Sequence, residues 1–350
     1  MNSILKNSSG LRRAVVGGLV LFIGLASLGR LQAGLTVNIN PGAGLSGNTP
    51  ALNAFQAAAN EWSSRISTNV VININADLLN FGSPSIIGST SATLLQGPFN
   101  LIRNAMAAHA ADGPNLGILA ALPTAAQFSA FIPAGFALSP NIVLTQANAK
   151  ALGFGGLVGV DATINFNSQF AFAYNSAQLN GTTVDFQTVA AHEIGHALGF
   201  ISSVDVVDAN TSGTFSPNPL DLFRFDAANI PTTALEFTNN PRSFVPGNNE
   251  FLSDTVNTFR LSTGVSKGDR RQASHWKADE LTGINLGIMD PTLDNGVAFP
   301  VGENDLRALA LIGYTVTAVP EPGSTALIVV GLSMLVVRYR VKSKRTQPKH

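Results

Sequence analysis

Two histidines four residues apart, with a glutamate directly after the first, stand at His192-Glu193-Ile194-Gly195-His196. On a helix of about 3.6 residues per turn, positions i and i+4 are about 40° apart and lie one above the other. The imidazoles of His192 and His196 therefore point at one place in space. Glu193 is turned about 100° from His192, beside that place rather than on it. Such an arrangement suits two ligands to a zinc ion and a base acting on the water that the metal activates. With 5 histidines and 7 glutamates in 350 residues, a pattern of this form arises by chance about once in seven hundred such chains. The competing reading is a helix that carries two unrelated core or surface histidines.

A catalytic zinc takes three protein ligands and keeps one position open for water. Ser202 stands three residues past Gly199, where a local third ligand would fall, and a neutral hydroxyl ligates zinc poorly. Asp205, or Asp208, is near enough to reach back after the turn. His275, in Arg271-Gln-Ala-Ser-His-Trp-Lys-Ala-Asp279, is another candidate, and Glu280 is a fourth if a distant helical glutamate serves. His109 stands alone in an Ala-rich stretch and reads as structural or exposed. Residue type and spacing leave His275 and Asp205 open.

The elements that must position these groups are readable in part. Asp185 is a good N-cap for the histidine helix, Val184 can staple onto Val189, and Gly199 can end the helix in a left-handed conformation, giving a helix over 185–199. Gly195, between the histidines, permits close approach of another element. Upstream, Leu35–Asn40 and Asn69–Asn75 read as strands. Pro50 opens a helix with Phe55, Ala58, Ala59, Trp62 and Ile66 on one stripe. A second helix runs from Phe99 to Ala111, and Leu144–Leu152 reads as a short helix ended by Gly153. Residues 112–150 otherwise show no clear period. Over Thr163–Asn175, Ile164, Phe166, Phe170, Phe172 and Tyr174 fall on one face, as in a strand or tight hairpin with one buried side. From Ser202 to about Arg270 the chain reads as loops, with Pro219–Phe225 the one strand candidate. Glu303–Gly313 closes the body as a helix with Leu306, Leu309, Ala310 and Gly313 inward.

Lys+Arg and Asp+Glu balance at 21 each, so no electrostatic case exists for a nucleic-acid partner. Charged residues are only 12%, a texture closer to an exported protein than to a cytosolic one. Cysteine is absent, which excludes disulfides, thiolate metal sites and a cysteine nucleophile. Residues 1–33 read as a secretory signal peptide: Lys6, Arg12 and Arg13, then the apolar run Ala14–Leu28, then Leu31-Gln32-Ala33 as a cleavage site. An uncleaved membrane anchor is the alternative. At the other end, Val319-Pro320-Glu321-Pro322-Gly323 leads into an apolar helix over 324–337 and a basic tail, Arg338 to Arg345. That helix is shorter than the ~20 residues of a full span, and the basic cluster would keep the C-terminus cytoplasmic.

Pro-Glu-Pro, apolar helix and basic tail together resemble the PEP-CTERM sorting signal of Gram-negative bacteria. The resemblance implies processing by an exosortase, transient membrane contact through the C-terminal helix, and delivery of the body, residues 34–318, to the outer surface or extracellular matrix.

A second resemblance lies in the body. Met289, fourteen residues after His275, lies in the turn Gly287-Ile288-Met289-Asp290-Pro291. The histidine motif with its Gly199, a long insertion, His275-Trp276 and then Met289 resemble the leishmanolysin-like metzincins. The resemblance covers about residues 160–315. It implies an α+β zincin fold with a twisted mixed sheet, an active-site helix, a Met-turn over 287–291 and a C-terminal helix. It further implies zinc on His192, His196 and His275, Glu193 as general base, and a protein or peptide substrate bound in extended form along the edge of the strand around 163–175. The gap from histidine to methionine is longer than in leishmanolysin, which is also disulfide-rich. Tyr174 and Tyr314 are both open as oxyanion partners. The rival reading is a non-catalytic surface or matrix protein that retains the fold.

Overall fold

The computed structural model describes residues 34–113 and 115–317. The expected signal peptide, residues 1–33, and the expected sorting signal from residue 319 onward lie outside the described residues. Among the described residues no helix is long and apolar enough to cross a membrane.

The fold is mixed α/β. Four strands lie side by side in the order Thr36–Pro41, Val71–Leu79, Ala162–Asn167, Gly88–Ala92. The first three run parallel and the last is antiparallel. A parallel pair needs a crossover, and the helix Thr49–Arg65 supplies it between the first two strands. Asn48 caps that helix by accepting from Ala51 N, and Pro50 sits in its first turn, where no N–H is missed. The expected stripe is its buried face: Phe55, Ala58, Ala59 and Trp62 are all buried against the sheet and the histidine helix. On the other sheet face Asn38 and Asn40 give side-chain amide bonds to Asn73 and Asn75.

The Ala162–Asn167 strand differs from expectation in two respects. Alternation holds only to Phe166, and Asn167, on the face expected to be polar and open, is fully buried because its amide donates to Ser83 O and Ile86 O. The strand is also interior, with Val71–Leu79 on one side and Gly88–Ala92 on the other, so it offers no edge. Past a turn, Phe172–Ala173 pairs with Val184–Asp185. Phe166, Phe172 and Tyr174 still converge on Phe186 at the start of the histidine helix, with ring centroids 4.5, 5.1 and 5.3 Å away.

The real edge strand, Gly88–Ala92, carries no apolar alternation and gives no strand signal. Leu144–Leu152 divides into a strand, Asn141–Thr145, and a helix, Gln146–Ala151, capped by Thr145. The stretch from Ser202 to Arg270 is not loop throughout. It contains the helix Val204–Ala209, a 3₁₀ turn over Leu220–Phe223 where a strand was expected, and an antiparallel trio Arg224–Asp226, Glu250–Ser253 and Thr258–Arg260. Strands of three or four residues are too short to show a period. Buried charges interrupt the pattern as well: Arg242 is fully buried, its guanidinium 4.5 and 4.8 Å from the ring centres of Phe225 and Phe237. This insertion has a small core of its own, built on Val204, Val207, Phe215, Phe244 and Ala273.

Candidate metal centre

The histidine helix spans Phe186–Leu198. Asp185 Oδ2 accepts from Thr188 N (2.8 Å) and Thr188 Oγ1 (2.7 Å), satisfying N-terminal donors as anticipated. Gly199 ends the helix at φ +122°, a region that suits glycine; a Cβ there would also stand 2.9 Å from Ile312 Cδ1. Trp62 Nε1 donates to Ala191 O and Tyr314 Oη to Leu198 O, which pins the helix from both sides.

His192, His196 and His275 come together across 83 residues of chain. Their Nε2 atoms form a nearly equilateral triangle with sides of 3.1, 3.1 and 3.2 Å. Each Nδ1 faces a backbone carbonyl: His192 that of Ile288 (2.8 Å), His196 that of Phe200 (2.7 Å), His275 that of Gln272 (3.1 Å). A carbonyl only accepts, so the proton of each ring sits on Nδ1 and each Nε2 presents a lone pair. Burial holds all three rings neutral: His192 falls to about 4 and His196 to about 3, while His275 is pushed well below the usual imidazole value. Three acceptor atoms converging without a proton among them repel unless a cation lies between. Tetrahedral zinc, at about 2.0–2.1 Å from nitrogen, holds its ligands about 3.3 Å apart. The observed spacing fits that donor set, so the three histidines can hold a metal ion.

Glu193 lies beside the triangle and does not join it. Its Oε2 accepts from Thr90 Oγ1 at 2.6 Å, and the same hydroxyl is 2.9 Å from Glu193 O. Gly88, two residues earlier on the edge strand, leaves room for the carboxylate: a Cβ there would meet Glu193 Oε1 at 2.6 Å. Burial raises the Glu193 carboxyl to about 7, against the pull of the Thr90 bond.

Gly195 sits under the histidines as expected of a close-approach position. Met289 Sδ fills the space, 2.3 Å from where a Cβ would be, and Met289 is fully buried. The Gly287–Pro291 turn is held by Asp305 of the closing helix Glu303–Leu311, which sequence reasoning did not single out. Asp305 accepts from Trp276 Nε1 (2.7 Å), Ile288 N (2.8 Å), Met289 N (3.3 Å) and Gly302 N (2.8 Å). One carboxylate thereby joins the neighbour of His275 to the turn that orients His192.

Asp205 does not face the histidine triangle as a ligand. Its carboxylate is taken by Ala273 N (2.6 Å), Ser274 N (3.1 Å) and the Ser274 hydroxyl. Asp208 is likewise engaged, by Ser266 N and Lys267 N, and Glu280 pairs with Arg271 on the surface. Neither tyrosine reaches the cleft. Tyr314 is buried on Leu198 O, and Tyr174 Oη accepts from Asn48 Nδ2. His109 pairs with Asp112, apart from the centre.

The triangle opens into a cleft of about 1120 Å³. Gly88 and Thr90 of the edge strand line it, together with the flanking Ile86 and Leu94 and with Val206, Phe215 and Val265 from the insertion. Ile87 O accepts from Asn167 N and Thr93 N donates to Asp161 O. Residues 87, 89, 91 and 93 therefore turn their peptide groups toward the inner strand. Gly88, Thr90 and Ala92 turn theirs outward, along the cleft. Thr90 and Gly88 escaped sequence reasoning because a cleft-facing edge strand of small residues lacks a buried stripe.

No family model, curated protein or solved structure matches this chain.

Proposed function

We propose that the chain is a zinc endopeptidase of the leishmanolysin-like metzincin type, acting on extended polypeptide. The observation that carries this reading is the convergence of three proton-free Nε2 atoms with a separately held glutamate beside them. The buried Met289 beneath Gly195 and the closing helix behind it support the metzincin assignment.

When bound, zinc supplies Lewis acidity that acidifies water and polarises a carbonyl. His192, His196 and His275 would hold it, each fixed in tautomer by its carbonyl partner. Glu193 takes the proton from the attacking water and later hands it to the leaving amine. Thr90 keeps one oxygen of Glu193 occupied and so fixes the direction of the other. The outward peptide groups of Gly88, Thr90 and Ala92 pair with the substrate backbone by strand addition. This moves the substrate edge from the 163–175 strand, where the resemblance implied it, to the strand that also holds the base. The export and sorting segments at the two ends support action outside the cytoplasm.

The test is Glu193→Ala in the purified protein, assayed on denatured protein substrate with zinc measured alongside. Metal content should stay at wild-type level while hydrolysis falls by about 10²–10⁴. A variant that retains zinc and cleaves as well as wild type would remove the enzymatic reading and leave a surface protein with a structural metal.

A further inference from the structure

We propose that Asp205 is the positioning residue of the third metal ligand: it holds the backbone N–H groups of the two residues ahead of His275 and thereby helps set where His275 Nε2 stands. The proposal rests on the three-histidine metal reading above.

His192 and His196 are placed by one turn of a pinned helix. His275 is not on a helix: it lies in irregular chain between Thr258–Arg260 and Asp279–Thr282, where its own carbonyl accepts from Ser262 N at 3.1 Å and Trp276 N donates to Met289 O, while the residues ahead of it lie in a loop. Its ring is oriented by Gln272 O, which belongs to the same loop and at 3.1 Å is the longest of the three ring-to-carbonyl bonds. The ring can be no better placed than the loop itself.

Asp205, in the first turn of Val204–Ala209, grips that loop. Its Oδ1 accepts from Ala273 N at 2.6 Å, and its Oδ2 accepts from Ser274 N at 3.1 Å and from the Ser274 hydroxyl. Ser274 Oγ accepts in turn from Ser202 N at 2.9 Å. Ser202 gives its own hydroxyl to Asp221 at 2.6 Å, and Asp221 also takes Ser203 N at 2.9 Å. From the other side Arg224 Nη2 donates to Ala273 O at 2.6 Å. Thus the segment that leaves the histidine helix, whose Ser202 occupies the place of a local ligand, delivers an anchor for the remote one. Hydrogen bonds from peptide N–H to a carboxylate are charge-assisted and directional, and ligand-orienting groups of this kind act on metal affinity.

Zinc affinity by chelator competition is compared for wild type, Asp205→Ala, Asp205→Asn, Ser274→Ala and His275→Ala, with visible absorption of the cobalt-substituted forms. Asp205→Ala should bind zinc about 10–100-fold more weakly and His275→Ala more weakly still, with the melting temperature of each metal-free protein measured alongside to separate loss of affinity from loss of fold. Its cobalt spectrum should keep the wild-type shape. Asp205→Asn, which retains one acceptor oxygen, should lose less than Asp205→Ala, and Ser274→Ala less again. Wild-type affinity in both Asp205 variants overturns the proposal. So does a cobalt spectrum of altered ligand number in Asp205→Ala, which would make Asp205 a ligand. Should Asp205→Ala fail to fold, the Asn variant decides by the same affinity criterion. Failure of the wild type itself to bind zinc overturns the metal reading and this proposal together, whereas unaltered variants of a zinc-binding wild type overturn this proposal alone.

Discussion

Gly195→Ala adds one methyl group at the tightest contact of the site. The new Cβ would stand 2.3 Å from Met289 Sδ, 3.3 Å from Met289 Cε and 3.5 Å from Trp62 Cζ2. Non-bonded heavy atoms rest about 3.5–4.0 Å apart, so the sulfur must retreat by more than about 1 Å. Two effects compete. Alanine is favoured over glycine inside a helix by about 1 kcal/mol, while overpacking a filled core costs about 1–3 kcal/mol. Methionine adapts more easily than most side chains, but Met289 is fully buried and its backbone N–H is tied to Asp305. At a 2.3 Å approach the overpacking cost belongs in the upper part of that range, about 2–3 kcal/mol, so overpacking wins with a net loss of about 1–2 kcal/mol, roughly 2–8 °C in melting temperature. The displacement also moves Ile288 O, which orients His192, so zinc affinity should fall in the same variant. The assay is urea and thermal unfolding of metal-free wild type, Gly195→Ala, Met289→Ala and the double variant. With the sulfur removed the clash is gone, and Gly195→Ala should then stabilise the Met289→Ala protein by up to about 1 kcal/mol. A Gly195→Ala variant as stable as wild type, or one equally destabilised in both backgrounds, would refute the reasoning.

Two further outcomes are expected. Thr90→Val should keep zinc and the fold but lower kcat on a peptide substrate by about 10-fold or more, because a directed hydrogen bond to Glu193 is lost. Thr90→Ser should restore most of it; equal kcat in the Val and Ser variants would deny Thr90 its role. Glu250 is buried with Oε2 lacking a partner, and burial lifts its carboxyl to about 7 despite Arg224 nearby. The folded state thus favours the protonated acid. Its contribution is full below the unfolded value of 4.5, fades as pH rises and is gone above about 7, at most about 3 kcal/mol in all. Glu250→Gln should lose this dependence and gain on wild type between pH 4.5 and 7. A stability difference that is the same at both ends of that window, by urea unfolding, would count against it.

The helical parts of the molecule were legible because their determinants are local. Phe55, Ala58 and Trp62 mark a stripe wherever the helix docks, and Asp185 and Gly199 bound the histidine helix through hydrogen bonds and dihedrals within a few residues. The edge strand was not legible. Gly88, Thr90 and Ala92 face a cleft rather than a core, so their small side chains leave no alternating signal. The insertion was opaque for another reason: its strands are three or four residues long, and buried Arg224 and Arg242 occupy positions where an apolar residue would have shown the pattern.

For the site, the sequence by itself determined the pair His192 and His196 and the place of Glu193 beside them. Helical periodicity puts those groups in register whatever the rest of the chain does. It also flagged Gly195 as a point of close approach without naming what approaches. The tertiary structure decided the rest. It brought His275 to the helix and turned Asp205 from a rival ligand into an anchor for the loop that carries it. It set Met289 against Gly195, and assigned Ile288, Phe200 and Gln272 carbonyls to the three rings. Contacts between residues some eighty positions apart depend on the path of the whole chain, and a backbone carbonyl is the same in every residue, so neither leaves a mark in the order of side chains.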